Sequence, residues 1–135
     1  MKKHKIMIVD DSQIVTELTA FLLENLGYET VQFTEGRMAI EYLDDTESPY
    51  PDLIVCDHYL GTKGDIRKTG YRILNKLEQY GIHIPVVIMS GNSNDRIIDK
   101  YFELGVDAYV CKDQDNFIDD LEEEIEYILN KQQKE

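Results

Sequence analysis

Five residues of this 135-residue sequence follow short apolar segments and have side chains suited to binding metal ions and anions. They are three carboxylates, a hydroxyl and an ammonium: Asp10, Asp11, Asp57, Ser90 and Lys112. Neighbouring carboxylates raise each other's pKa, and Mg²⁺ relieves that conflict because it prefers oxygen ligands and leaves positions open for others. A carboxylate beside such an ion can attack phosphorus, while a lysine and a hydroxyl balance charge on the phosphoryl oxygens. If the fold brings them together, these residues predict metal-dependent phosphoryl transfer to Asp57.

Five apolar segments predict the strands that hold these residues. They are residues 6–9, 28–33, 53–56, 86–89 and 108–111. Four of them are continuous and rich in Val and Ile, which is typical of parallel strands covered on both faces, whereas 28–33 alternates more and favours a position nearer an edge. Because a segment with helical spacing follows each one, the pattern predicts an α/β fold, a five-stranded parallel sheet with helices on both faces.

The order of these elements places the reactive residues at one edge of the sheet. Asp10 and Asp11 follow the first predicted strand, and Asp57 follows the third. Ser90 and Lys112 follow the fourth and the fifth. In open parallel sheets, ligands bind outside the carboxyl ends of the strands. Taken singly, each residue has an ordinary explanation as a turn, loop, helix-start or surface residue, but the joint placement favours the functional interpretation.

Helical spacing predicts five helices between and after the strands. In the first, Ser12 is the expected N-cap and Gly27 follows the last turn. One apolar stripe of this helix consists of Ile14, Leu18, Leu22 and Leu26. Apolar residues within 38–43, 73–77, 97–102 and 118–128 indicate the other four helices.

Composition predicts one cytoplasmic domain that neither enters a membrane nor binds nucleic acid directly. With 42% hydrophobic residues, we expect a single domain over 1–135, with its core at about 4–131 and no output domain. Fourteen basic against 27 acidic residues give a net charge of −13, which repels phosphate backbones. No apolar run approaches the roughly 20 residues of a membrane span. Cys56 and Cys111 lack metal-ligand or redox spacing, and we expect buried free thiols in a reducing compartment.

Four segments together resemble the receiver domain of response regulators, and the resemblance covers essentially the whole chain. They are KIMIVDDS, PDLIVCD, PVVIMSGN and DAYVCKD. In turn they are similar to the family's acidic pair, phosphoacceptor strand, switch-hydroxyl strand and lysine strand. The resemblance implies the flavodoxin-like strand order 2-1-3-4-5 and a stand-alone, CheY-like signalling domain of a two-component system.

The resemblance also implies a role for each matching residue. Asp57 matches the phosphoacceptor, Lys112 the conserved lysine, Ser90 the switch hydroxyl and Tyr109 the aromatic switch. The implied Mg²⁺ ligands are Asp10, Asp11, Asp57 and the backbone carbonyl of Tyr59. The implied phosphoryl donor is a histidine kinase or a histidine phosphotransfer protein. A downstream effector protein is expected to dock near helix four, strand five and helix five.

Two departures from the family pattern affect the predicted site. Asp113 follows Lys112 where the family has a proline, which is usually joined to the lysine by a cis peptide bond. A cis bond before a non-proline residue costs about 2.5–4 kcal/mol. The Lys112–Asp113 peptide bond is therefore either trans or a source of strain in this loop. The segment between Asp57 and Gly70 is also longer than usual. Within it, residues 62–69 contain Lys63, Arg67 and Lys68. This basic loop is either a surface insertion or a flap that binds an acidic partner or the phosphoryl group.

Two other functions stay open at this point. A receiver-shaped binding module that no longer uses phosphorylation would explain the departures, but it would not require all five reactive positions. A phosphatase of the haloacid-dehalogenase type would place a second Asp two residues after Asp57 as general acid, and Tyr59 occupies that position. His58 is not expected to act as a relay histidine, because strand neighbours point to opposite faces and the family's histidine belongs to the donor protein.

Overall fold

Five strands alternate with five helices in the part of the chain that the computed structural model describes, residues 3–45, 47, 49–58, 69–91 and 94–133. In chain order they are β1 (Lys5–Val9), α1 (Gln13–Asn25), β2 (Glu29–Phe33), α2 (Gly36–Asp44), β3 (Leu53–Asp57), α3 (Thr69–Tyr80), β4 (Val86–Ser90), α4 (Asp95–Glu103), β5 (Ala108–Cys111) and α5 (Phe117–Gln133). Each predicted strand is confirmed to within one residue at either end.

The five strands form one parallel sheet in the order β2-β1-β3-β4-β5, so the predicted α/β fold and strand order are confirmed. β3 and β4 are buried along their whole length, as their continuous apolar sequences indicated. β2 lies at an edge and is partly exposed, in agreement with its alternating pattern. The strand order reverses between β1 and β3, and ligands of open α/β sheets bind at the carboxyl ends beside such a reversal.

Helices cover both faces of the sheet. On one face, α1 and α5 pack through Ala20, Leu23, Leu121, Ile125, Ile128 and Leu129. On the other face, α2, α3 and α4 pack through Ala39, Ile40, Leu43, Ile73, Leu77 and Tyr101. Successive residues of a strand belong to opposite layers, so in β3 Ile54 and Cys56 face α2, α3 and α4, whereas Val55 faces α1 and α5.

The packed face of α1 differs from the predicted apolar stripe. Its buried residues are Thr16, Thr19, Ala20 and Leu23. Ile14 and Leu18 of the stripe are 79% and 46% exposed, so the stripe does not form the packed face. Two sets of positions in this helix satisfy the 3.6-residue period, and the small side chains of the buried set let the helix lie close to the sheet.

Both ends of α1 agree with the sequence. The Ser12 side chain accepts a hydrogen bond from the Val15 N–H, as expected of an N-cap. Gly27 has a φ of 97° just after the helix, a conformation that glycine adopts without a steric penalty. The first turn of α1 is therefore fixed directly after Asp10 and Asp11.

Both cysteines are free thiols, but only one is buried. Cys56 lies inside β3 and is fully buried, as predicted. Cys111 ends β5 and is half-buried, so the prediction of burial is wrong at this position. The reason is that β5 is an edge strand, in which alternate side chains are only partly covered.

Among the described helices, none combines the length and the apolar character that a membrane crossing requires. α5 has 17 residues, with Asp119 and Asp120 in its first turn.

Candidate functional site

The sheet brings the predicted reactive residues together at the carboxyl ends of four strands. Asp10 directly follows β1, and Asp57 is the last residue of β3. Ser90 is the last residue of β4, and Lys112 directly follows β5. The pairing of Asp57 with Met89, the residue before Ser90, aligns the ends of the two central strands. The expectation that these side chains gather at one edge of the sheet is confirmed.

Three carboxylates form the acidic part of the site. One oxygen each of Asp10, Asp11 and Asp57 lies within 4.8 Å of the other two. Asp10 is fully buried and Asp57 is 6% exposed, whereas Asp11 faces solvent. This donor set, all oxygen and open toward water on one side, fits a Mg²⁺ ion, which binds few protein carboxylates and retains waters.

Lys112 supplies the positive charge of the site. Its Nζ lies 2.9 Å from Asp10 Oδ2 and 3.3 Å from Asp57 Oδ2. Burial by itself lowers the pKa of Lys112, but Asp57 and Asp10 outweigh that effect and raise it, so the side chain stays an ammonium. Its backbone N–H donates to the Ser90 carbonyl at 2.7 Å, which extends the β4–β5 ladder one residue past β5.

The peptide bond between Lys112 and Asp113 is trans, since no cis peptide bond occurs in the described ranges. This answers the question that the missing proline left open. Lys112 contacts both buried carboxylates with the loop in this conformation.

Lys112 can neutralise only one of the three carboxylate charges of the site. The pKa of Asp57 is raised in this environment, from 3.8 to about 6 as the net result: burial raises it most, Lys112 lowers it, and the negative charges of Asp10 and Asp11 also raise it. The pKa of Asp11 is raised as well, by burial and by Asp10. A second cation would lower both pKa values, which agrees with a metal site.

Hydrogen bonds from the backbone fix Asp10 between β1 and α1. Its Oδ1 accepts from the Ser12 N–H at 2.9 Å, while its own N–H donates to the Phe33 carbonyl at 3.1 Å. With Oδ2 bound to Lys112, both carboxylate oxygens have partners. The same turn therefore caps α1 and orients an acidic side chain of the site.

Ser90 and Tyr109 connect the site to β5. Ser90 is buried beside Asp57 at the sheet edge, and Tyr109 is half-buried two residues before the end of β5. Burial raises the pKa of the Tyr109 phenol, and a hydrogen bond with the Ser90 side chain lowers it by less. The structure thus places the two predicted switch residues in contact.

His58 lies on the layer of α3 and α4. Residues two apart along a strand share a face, so His58 continues the side of β3 that carries Ile54 and Cys56. Its side chain is fully buried. Its Nδ1 forms a hydrogen bond with the Tyr101 hydroxyl, and its ring meets Tyr71 edge-on at 5.4 Å. Sequence reasoning missed this contact, because nothing local links residues 43 positions apart.

Two predictions rest on residues outside the described ranges. One is the metal-binding carbonyl of Tyr59, and the other is the basic loop at 62–69, of which only Thr69, the first residue of α3, is described. Both stay predictions.

Known proteins share this sequence pattern and fold. The family model described as the response regulator receiver domain matches residues 6–126. The chain is 27% identical over 113 residues to the CAI-1 autoinducer sensor kinase/phosphatase CqsS of Vibrio cholerae, covering 84% of this chain and 16% of that protein. It is 31% identical over 110 residues to the alkaline phosphatase synthesis transcriptional regulatory protein PhoP of Bacillus subtilis, covering 80% of this chain and 42% of that protein. The chain thus spans less than half the length of either relative.

A solved structure shows the same fold at low identity. It is a CheY-like response regulator receiver domain protein from Methanospirillum hungatei, 20% identical, with a TM-score of 0.80 over 98% of both chains. At that identity the likeness concerns the fold alone, and it agrees with the sheet order found here.

Proposed function

This chain belongs to the response regulator receiver domain family, the phosphoacceptor domains of two-component signalling, and we propose that Asp57 is the residue that accepts the phosphoryl group. The main support is the convergence of Asp57 with Lys112 and two further carboxylates at the carboxyl edge of the sheet. The donor is a histidine kinase or a histidine phosphotransfer protein.

In the proposed reaction, a carboxylate oxygen of Asp57 attacks the phosphorus of a phosphohistidine on the donor. The new O–P bond forms as the N–P bond breaks, so Asp57 becomes an acyl phosphate and the donor imidazole leaves and takes up a proton. Asp57 ends a fully buried strand, which holds its carboxylate in place. Phosphoryl transfer depends chiefly on such positioning and on stabilising charge.

Mg²⁺ is the proposed cofactor, with Asp10, Asp11 and Asp57 as its side-chain ligands. When bound, the ion supplies positive charge next to the phosphoryl oxygens. The site is arranged before the ion binds: the Ser12 N–H holds the Asp10 carboxylate in place, and one oxygen of each carboxylate lies within 4.8 Å of the other two. The Tyr59 carbonyl is a further proposed ligand.

Lys112 and Ser90 are proposed to bind oxygens of the transferred group. The Lys112 ammonium, 3.3 Å from Asp57, balances the charge that the phosphoryl group adds. Ser90 lies at the end of the neighbouring strand, where its hydroxyl can donate to a second phosphoryl oxygen.

Movement of Ser90 toward the phosphoryl group is the proposed signal. Because Ser90 is hydrogen-bonded to Tyr109, that movement breaks or changes the contact and releases Tyr109 to adopt another rotamer. Tyr109 lies on β5, which follows α4 and precedes α5 in the chain. We therefore place the effector-docking surface on α4, β5 and α5.

An exposed apolar face of α1 is the proposed docking site for the phosphoryl donor. This α1 face consists of Ile14, Leu18 and Phe21, and Phe21 is 61% exposed. Spacings of four and three residues put the three side chains on one side of the helix. α1 begins two residues after Asp11, so a protein bound here lies beside the carboxylates. Exposed apolar clusters of this kind mark interaction sites.

Intact-mass spectrometry with a small phosphodonor, such as acetyl phosphate, tests the proposal. We expect a Mg²⁺-dependent phosphoryl adduct on the wild type that is absent from Asp57→Asn. Asp99→Asn is the matched control, because Asp99 is an exposed carboxylate on α4 away from the site, and it should keep the adduct.

If the wild type acquires no adduct and binds no Mg²⁺, the proposal is wrong. The phosphorylation-independent binding module would then be the better explanation. An adduct that persists in Asp57→Asn would place the phosphoacceptor at another residue.

A further inference from the structure

Two buried polar side chains, His58 and Tyr101, have no part in the phosphoryl-transfer scheme above. His58 directly follows Asp57, and Tyr101 lies on α4; both are fully buried. The His58 Nδ1 and the Tyr101 hydroxyl form a hydrogen bond. Buried polar groups are costly to leave without partners, so this contact fixes α4 relative to the end of β3.

Tyr101 is the centre of an aromatic cluster formed by His58, Tyr71, Tyr101 and Tyr109. Its ring centroid lies 5.1 Å from that of His58, 4.5 Å from that of Tyr71 and 6.0 Å from that of Tyr109. These neighbours belong to the end of β3, to α3 and to β5. One side chain of α4 thus contacts three elements at once.

Gly70, in the first turn of α3, provides the room for Tyr101. A Cβ built on Gly70 would overlap the Tyr101 hydroxyl and would lie 2.9 Å from a carbon of its ring. α3 therefore packs directly against the tyrosine, and the ring has little space to move independently of its neighbours. Close-packed groups of this kind transmit displacements instead of absorbing them.

The aromatic cluster touches the proposed phosphorylation site at two points. His58 is covalently adjacent to Asp57, and Tyr109 is hydrogen-bonded to Ser90. Tyr101 contacts both His58 and Tyr109, so α4 receives a connection through β3 in addition to the one through Ser90 and β5.

We propose that Tyr101 is a positioning residue that couples phosphorylation of Asp57 to α4 through its hydrogen bond with His58. A phosphoryl group on Asp57 shifts the backbone that follows β3, His58 moves with it, and Tyr101 carries the displacement to α4. This inference rests on the proposed phosphorylation of Asp57. It assigns to the His58–Tyr101 contact a role separate from that of the Ser90–Tyr109 contact.

Hydrogen–deuterium exchange of α4 tests the coupling. Exchange of Asp95–Glu103 is measured in Mg²⁺ with and without beryllofluoride, an analogue of the acyl phosphate, and adduct formation with acetyl phosphate is measured in parallel. Tyr101→Phe removes only the hydroxyl. We expect it to form the phosphoryl adduct normally while its beryllofluoride-induced change in α4 exchange falls to about half or less of the wild-type change.

His58→Leu and the double variant with Tyr101→Phe complete the experiment. If one contact acts as a unit, the double variant loses no more of the α4 response than either single variant. The double variant also pairs two apolar groups, so it keeps the test available if a buried polar atom left alone unfolds a single variant. Tyr80→Phe is the matched control, because Tyr80 on α3 has a hydrogen-bonded hydroxyl, to Asp44, outside the cluster.

A full wild-type α4 response in Tyr101→Phe, or an equal loss in Tyr80→Phe, would overturn the coupling while leaving the proposed phosphorylation intact. Independent, additive losses in the two single variants would also overturn it. A merely structural contact would lower thermal stability without changing the α4 response. Absence of both the adduct and the response in the wild type would instead refute the proposed phosphorylation itself.

Discussion

Replacing Asp57 by asparagine should stabilise the metal-free protein at neutral pH. The substitution keeps the shape of the side chain and removes a buried negative charge whose pKa is raised from 3.8 to about 6, mainly by burial. A raised folded-state pKa means that the folded protein prefers the protonated form of Asp57. The stability associated with that preference is complete below the unfolded-state pKa and is lost as pH rises from about 4 through about 6.

The size of the effect follows from that pKa difference. About two pKa units correspond to about 3 kcal/mol, and because water and Lys112 still reach the carboxylate we expect a measured gain of about 1–3 kcal/mol for Asp57→Asn at about pH 7.5. At about pH 5 the same linkage leaves about half of the gain. Lys112 keeps Asp10 as a partner in the variant, so no unpaired ammonium offsets the gain.

Urea denaturation in chelator at the two pH values measures the difference between variant and wild type. Carboxylates away from the site titrate alike in both proteins and cancel from the comparison. Asp99→Asn, an exposed substitution on α4, should change stability little at either pH. If Asp57 is a Mg²⁺ ligand as proposed, saturating Mg²⁺ should reduce the advantage of Asp57→Asn, because the ion would stabilise the folded wild type more than the folded variant. The electrostatic reasoning would be refuted if Asp57→Asn were no more stable than the wild type at neutral pH. It would also be refuted if the stability difference between variant and wild type were the same at both pH values.

Three further predictions concern the metal, the lysine and the donor. With a pKa of about 6, Asp57 is half protonated near pH 6, so Mg²⁺ binding should release about half a proton at about pH 6 and almost none at about pH 8. Calorimetry in buffers of different ionisation enthalpy measures this proton release. Equal release at both pH values would contradict the raised pKa of Asp57. Lys112→Met should slow adduct formation from acetyl phosphate by about tenfold or more and shift the pH dependence of its rate to higher pH, because the lysine lowers the pKa of Asp57. An unchanged pH dependence would exclude an effect of the lysine on the Asp57 pKa. Lys112→Arg keeps the positive charge and serves as the control. Phe21→Ala should leave stability and small-donor phosphorylation unchanged and slow transfer from a histidine phosphotransfer protein by about tenfold. Tyr127→Ala, an equally exposed aromatic on α5, is its control, and equal slowing in both would argue against docking on the α1 face.

The strand ends could be predicted because they depend on little more than topology. Continuous Val and Ile segments alternating with helices leave a parallel sheet as the expected arrangement, and the residues that follow its strands must share one edge. Asp10, Asp57, Ser90 and Lys112 were therefore placed correctly without any knowledge of side-chain contacts. The rotation of α1 could not be predicted in this way. Its sequence contains two faces with helical spacing, and only packing against β1 and β2 selects the face with Thr16, Thr19, Ala20 and Leu23.

The α1 face also shows that hydrophobicity alone does not identify the packed side of a helix. Ile14, Leu18 and Phe21 are more apolar than the threonines that pack against the sheet, yet they remain exposed. A rule that buries the most apolar stripe ignores both the benefit of small side chains at a close helix–sheet approach and the possibility of a partner. The exposure of these apolar residues is therefore informative, since they form the surface on which we place the phosphoryl donor.

Lys112 illustrates how a contact can persist when the sequence feature associated with it is absent. The family pattern has a proline after the lysine, and its replacement by Asp113 left the direction of the side chain uncertain. In the structure, the Lys112 N–H donates to the Ser90 carbonyl at 2.7 Å, so the β4–β5 ladder fixes the lysine backbone before the loop begins. From that position the ammonium reaches Asp10 and Asp57 with a trans peptide following it. The position of the lysine is thus set by strand register, and the proline is not required to aim its side chain at Asp57, the proposed phosphoacceptor.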